Sequence, residues 1–165
     1  MSRAFVKEED QEEAPFIPPR APLPAGVTNY VTAKGMADLY EEKEELEKLR
    51  ERASTIDNTN EKRRTITEIN GRLSLLEERI NSARMIDIDE QPRNEVRFGA
   101  KVELTNDGNS QEFQLVGVDE ADVNKTKIAF TAPIARAITG KKINEVVELK
   151  LGNKLRQLKI LGISY

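Results

Sequence analysis

The stretch Thr65-Ile-Thr-Glu-Ile-Asn-Gly-Arg-Leu-Ser-Leu-Leu-Glu-Glu-Arg-Ile-Asn-Ser-Ala83 decides the architecture. Ile66, Ile69, Leu73, Leu76, Ile80 and Ala83 alternate spacings of three and four, the period of an apolar seam between two helices. Upstream, STIDNTNEK (54–62) holds no apolar residue except Ile56, and Asp57, Asn58, Thr59 and Asn60 are turn and N-cap types. Before it runs a second periodic segment through Met36, Leu39, Leu46, Leu49 and Ala53, with Thr32 placed to cap its start. Glu42 occupies one seam position and weakens it. Two seams joined by a short polar turn predict an antiparallel coiled-coil hairpin over 29–87. Each arm has roughly 22 residues, about 33 Å at 1.5 Å per residue.

The hairpin is densely charged. Glu41, Glu42, Glu44, Glu45, Glu47 and Glu51 crowd the first arm, and Lys62, Arg63 and Arg64 open the second. Such runs read as solvated helix faces with i,i+4 pairing. Three bases in a first turn oppose the helix dipole, however, so an anionic partner near the tip is the competing reading.

Downstream, residues 88–165 change period, and Pro92 marks the junction. Val96, Phe98, Ala100, Val102 and Leu104 alternate as a half-buried strand, and Asn106-Asp-Gly-Asn109 forms a hairpin turn. Phe113, Leu115 and Gly117 begin the next strand, and Lys127–Thr131 gives a third. Pro133 suits the first turn of a short helix ending at Gly140. Val147, Leu149 and Leu151, then Leu158 and Ile160, supply the last two strands. The expected fold class is α+β, a helical hairpin followed by a small antiparallel sheet with one short helix.

Upstream, residues 1–28 hold five of the seven prolines behind an acidic cluster of Glu8, Glu9, Asp10, Glu12 and Glu13. Proline removes amide donors and fixes φ, so we expect a disordered, partly polyproline tail. The alternative is a partner-docking arm using Phe16 and Ile17. Acids stand where a secretory peptide would carry its apolar run, and no apolar stretch approaches membrane-span length. We expect a cytoplasmic protein.

The 165 residues include no Cys, His or Trp. That excludes disulfides, thiol nucleophiles, His-based triads and Cys- or His-bound metals. A net charge of −3 gives no general attraction to nucleic acid or anionic membranes.

Three blocks narrow the reading further. Val96-Arg-Phe-Gly-Ala-Lys-Val-Glu-Leu104, Leu115-Val-Gly-Val-Asp-Glu-Ala-Asp122 and Ala132-Pro-Ile-Ala-Arg-Ala-Ile-Thr-Gly-Lys141 closely resemble the C-terminal domain of the GreA/GreB transcription factors. Tyr30-Val-Thr-Ala-Lys-Gly-Met36 looks like that family's opening segment, and the resemblance runs from about Tyr30 to Tyr165. It implies a monomer whose FKBP-like C-terminal domain docks on bacterial RNA polymerase at the rim of the secondary channel. The coiled coil then enters the channel, with only indirect contact to the DNA and RNA of the transcription complex. In cleavage-stimulating members, an Asp and a Glu at the tip help hold Mg²⁺, and the polymerase cuts the backtracked RNA. By resemblance, the docking residues are Asp119, Glu120, Asp122, Ala132, Pro133, Ile134, Ala135 and Arg136.

The tip departs from the family pattern. Asp57 and Glu61 are four apart rather than three, and aligning back from Asp87 puts Arg52 and Thr55 where the two acids belong. The arms are also shorter than the family's by roughly two turns, about 10 Å. The sequence therefore leads us to expect a non-catalytic polymerase-binding regulator with no cofactor or metal of its own. The alternative is an active cleavage factor using Asp57 and Glu61. A further departure is Ala132, where the family usually has Ser. The FKBP-like fold raises peptidyl-prolyl isomerase as a remote third reading. Fold does not carry function, and the domain offers a pocket only Phe98, Phe113, Phe130 and Tyr165.

Overall fold

The computed structural model describes residues 13–165. The acidic cluster from Glu8 to Glu12 lies outside the described residues.

Two helices form the hairpin, α1 (Ala33–Ala53) and α2 (Thr59–Ser82). Thr32 caps α1 by accepting from the Gly35 amide at 3.0 Å, and Asn58 caps α2 by accepting from the Glu61 amide at 3.0 Å. Leu39, Leu46 and Ala53 pack against Ile69, Leu73 and Leu76 to make the seam. Leu49 does not join it and stays 41% exposed. A straight helix drifts by ~20° per heptad, so a seam read as strictly periodic overshoots. A short parallel pair ties the base together, β1 (Asn29–Val31) against β2 (Ala83–Met85). The Asn29 side chain holds the end of α2 by donating to the Arg79 carbonyl at 3.1 Å.

The second core belongs to a five-stranded sheet. Its strands are β3 (Lys101–Asn106), β4 (Asn109–Val116), β5 (Lys127–Ala129), β6 (Val146–Leu151) and β7 (Lys154–Ser164), ordered β5-β4-β3-β7-β6. The helix α3 (Pro133–Ile138) covers one face, with Ala135 and Ile138 fully buried beside Val102, Leu104, Leu115, Leu158 and Ile160. The β3–β4 hairpin turns through Asp107 (φ 50°) and Gly108 (φ 86°), as the Asp-Gly pair requires.

Two expectations need correction here. The sheet is mixed rather than antiparallel, because β4 and β5 run parallel. Two 3-10 turns, Val118–Glu120 and Val123–Lys125, carry the chain back alongside the last three residues of β4 and allow this. The alternation from Val96 also does not make one strand. Gly99 adopts φ 87°, a conformation that breaks the extended run, so β3 starts only at Lys101.

The proline-rich segment departs from expectation as well. From Pro15 to Ala21 it lies against the hairpin instead of running free. Ile17 is half-buried over Gly71, where a Cβ would stand 2.0 Å from its Cδ1, so any larger residue there pushes the Ile17 side chain aside.

Candidate functional site

The junction between hairpin and sheet is held by a set of side-chain hydrogen bonds and ion pairs. The Glu120 carboxylate accepts from the Thr32 amide at 3.0 Å, the Gly117 amide at 3.1 Å and the Thr32 hydroxyl. Thr32 thus caps α1 and fastens that cap to the sheet domain. The fit depends on Gly35, since a Cβ there would lie 2.2 Å from Glu120 Cδ.

Asp119 makes a second fastening. Its Oδ1 accepts from Arg20 Nε at 3.0 Å, and its Oδ2 pairs with Arg79 Nη1 at 3.3 Å. Arg20 also grips Glu42 on α1 with both terminal nitrogens, at 2.8 and 3.0 Å. Burial works to lower the Arg20 pKa, but Glu42 and Asp119 outweigh it and hold the guanidinium above its ordinary value. Arg79 further donates to the Ala21 carbonyl.

The residues named by resemblance therefore separate. Asp119 and Glu120 are engaged inside the molecule, and the Asp119 side chain is only 7% exposed. Asp122 caps a 3-10 turn by accepting from the Asn124 amide at 3.0 Å. Ala132 precedes α3 and provides no side-chain cap. Ala135 is buried, Ile134 half-buried, and Pro133 and Arg136 face outward. One outward surface therefore carries Pro133, Arg136 and the flank of Ile134.

Sequence reading did not find the cavity behind that surface. It measures about 530 Å³ and is lined by Tyr30, Ile86, Gln91, Arg97, Phe98, Leu115, Phe130, Arg136 and Thr139. The Tyr30, Phe98 and Phe130 rings sit 5.5–6.0 Å apart, spacings at which tilted aromatic pairs attract. Tyr30 comes from the hairpin base, so its ring also joins the two parts. Three aromatics so far apart in the chain carry no local signal of meeting.

At the far end of the hairpin, Asp57 and Glu61 are both exposed. Among the described residues, no group of three or more acids is placed to hold a metal ion. Two carboxylates alone fall short of the octahedral oxygen shell of Mg²⁺. A metal at the tip would need oxygens from a partner.

A comparison with protein families matches residues 91–165 to the model described as "Transcription elongation factor, GreA/GreB, C-term". Transcription elongation factor GreA of Maricaulis maris is 35% identical over 99 residues, covering 59% of this chain and 63% of that protein. The GreA of Thermodesulfovibrio yellowstonii is 38% identical, with the same coverage of 59% and 63%. The chain thus spans less than two thirds of the length of these curated relatives. A solved structure of Thermus aquaticus Gfh1 is 21% identical, with 82% of this chain and 97% of that one covered. Its TM-score of 0.40 marks a likeness too loose to carry an argument. These relatives correct the expectation of a non-catalytic regulator. They are named as transcription elongation factor GreA, so a chain similar to them is not plainly non-catalytic. No helix among the described residues is long and apolar enough to cross a membrane. Residues 91–165 thus resemble the C-terminal domain of the GreA/GreB transcription elongation factors.

Proposed function

We propose that this chain is an elongation factor of bacterial RNA polymerase, which docks by its sheet domain at the rim of the secondary channel and directs its hairpin into the channel. One observation carries the reading. A GreA/GreB C-terminal domain and a rod of two helices, of 21 and 24 residues, are fastened to each other through Glu120 and Asp119. The longer helix reaches about 36 Å. Most apolar residues of the rod face inward, Tyr40 and Leu49 being the exposed ones, so the rod holds itself together through its own seam and can enter a polar channel.

Docking falls to the outward surface of Pro133, Ile134 and Arg136. Ala132 and the buried Ala135 hold the α3 backbone behind that surface. Asp122 lies on a neighbouring turn. Exposed arginine is suited to a carboxylate-bearing surface, because its planar fork pairs with carboxylates bidentately.

The exposed tip acids support a second reading, in which Asp57 and Glu61 contribute oxygens to a metal held mainly by the polymerase. The chemistry would then be the polymerase's own.

Retention of core RNA polymerase on the immobilised chain tests the docking. The intact chain retains the enzyme, and Arg136→Glu weakens retention with its fold unchanged. Absence of retention by the intact chain refutes the proposal. Adding the chain to a stalled elongation complex then tests the tip. RNA cleavage that is lost in Asp57→Ala supports the second reading, and cleavage unaffected by that substitution refutes it.

A further inference from the structure

The segment Pro15–Ala21 binds three other parts of the molecule at once. Ile17 fills the notch over Gly71 on α2. Arg20 reaches Glu42 on α1 and Asp119 in the turn after β4. The Ala21 carbonyl takes a hydrogen bond from Arg79, which also pairs with Asp119.

The network is sheltered. Arg20, Arg79 and Asp119 are 17%, 13% and 7% exposed, and only Glu42, at 36%, opens to solvent. Two cations face two anions, so the cluster is balanced as it stands. It is incomplete without the segment. Removing Arg20 leaves Glu42 without the bidentate pair and Asp119 with Arg79 alone.

The hairpin and sheet also meet at the hairpin base. There, the Thr32–Glu120 hydrogen bonds and the Tyr30, Phe98 and Phe130 rings form one compact contact. A rod held at one end pivots about that end. A second attachment displaced along the rod resists the pivot, and Glu42 lies about 15 Å along the helix axis from Thr32.

We propose that residues 15–21 form an intramolecular strap that fixes the angle between hairpin and sheet domain, with Arg20 as its positioning residue, bridging Glu42 to Asp119. The strap sets where the hairpin tip points when the sheet domain is held. Its consequence for the polymerase rests on the proposed docking, but the strap itself is a property of the free chain.

The chain has no cysteine, so two can be introduced and spin-labelled without competition. Thr59→Cys at the tip and Lys150→Cys on β6 are exposed positions outside the junction. Pulsed electron spin resonance on the free full-length chain reads the distance between them. The strapped chain gives one narrow distance peak. Arg20→Gln removes the charge bridge, and Gly71→Leu fills the notch with a good helix former. Each is expected to broaden the peak without loss of far-UV ellipticity, and raised salt to broaden it in the parent through screening. A peak in Arg20→Gln and Gly71→Leu as narrow as in the parent overturns the strap. So does a parent peak that is already broad. Polymerase retention by the unlabelled parent is scored separately, so failure of the docking leaves the distance result standing.

Discussion

Replacing Glu120 by alanine tests the junction most sharply. The substitution removes the acceptor of three donors, the Thr32 amide, the Thr32 hydroxyl and the Gly117 amide. Thr32 is 7% exposed and Gly117 is buried, so the amides do not simply return to water. An unsatisfied buried donor costs about 1–3 kcal/mol. The hydroxyl can turn elsewhere, and water entering the vacated space relieves part of the loss. The expected cost is therefore about 2–4 kcal/mol rather than the full sum of three. Thr32→Ala removes the α1 cap, about 1 kcal/mol, and also the hydroxyl donor of the same contact, while the amide donor remains. Both substitutions break one shared interaction, so the double variant should fall short of the sum of the singles by about 1–2 kcal/mol. Urea unfolding followed by far-UV ellipticity measures all three. Additivity to within about 0.5 kcal/mol would refute the claim that Glu120 and Thr32 act as one fastening.

Further expectations follow from particular residues. Gly35→Ala adds a favourable helix residue yet drives its Cβ to within 2.2 Å of Glu120 Cδ, so urea titration should show net destabilisation where an open helix site would gain about 1 kcal/mol. Leu76 is fully buried in the hairpin seam, and Leu76→Ala should cost about 2–5 kcal/mol in the same titration. The Tyr165 hydroxyl donates to the Glu95 carbonyl and accepts from the Arg97 amide, each at 2.9 Å, and burial raises its pKa above the usual 10.0. A raised folded-state value means that its contribution is fully present below the unfolded pKa and disappears as pH rises through the folded one. Ultraviolet titration should therefore find one tyrosinate appearing late, and unfolding at high pH should depend less on pH in Tyr165→Phe.

What the sequence disclosed follows the range of the interactions. The seams of α1 and α2 and the alternation in β3, β4 and β6 arise from local periodicity, and both helix caps are short-range hydrogen bonds. Thr32 and the turn at Asp57–Asn60 could therefore be read directly. Leu49 could not, because its fate depends on slow rotation of the seam relative to α2. The parallel β4–β5 pairing depends on two 3-10 turns whose course no periodic pattern marks. Asp119 and Glu120 look like free acids in the sequence, since nothing local records that Thr32, Arg20 and Arg79 converge on them. The proline-rich segment misled for the same reason. Proline does exclude helix and sheet there, yet an extended segment can still pack, and Gly71 provides the notch that lets Ile17 do so. The family resemblance points to Pro133–Arg136 as a docking surface but has no counterpart for the strap.

The central claim is that the hairpin enters the polymerase's secondary channel while the sheet domain stays at its rim. A photo-crosslinker on Thr59→Cys at the hairpin tip, in complex with core RNA polymerase, tests it directly. Crosslinks are expected only to residues lining the channel interior, and they are expected to be lost in Arg136→Glu. Crosslinks only to the outer surface of the polymerase, or a pattern indifferent to Arg136→Glu, would contradict it.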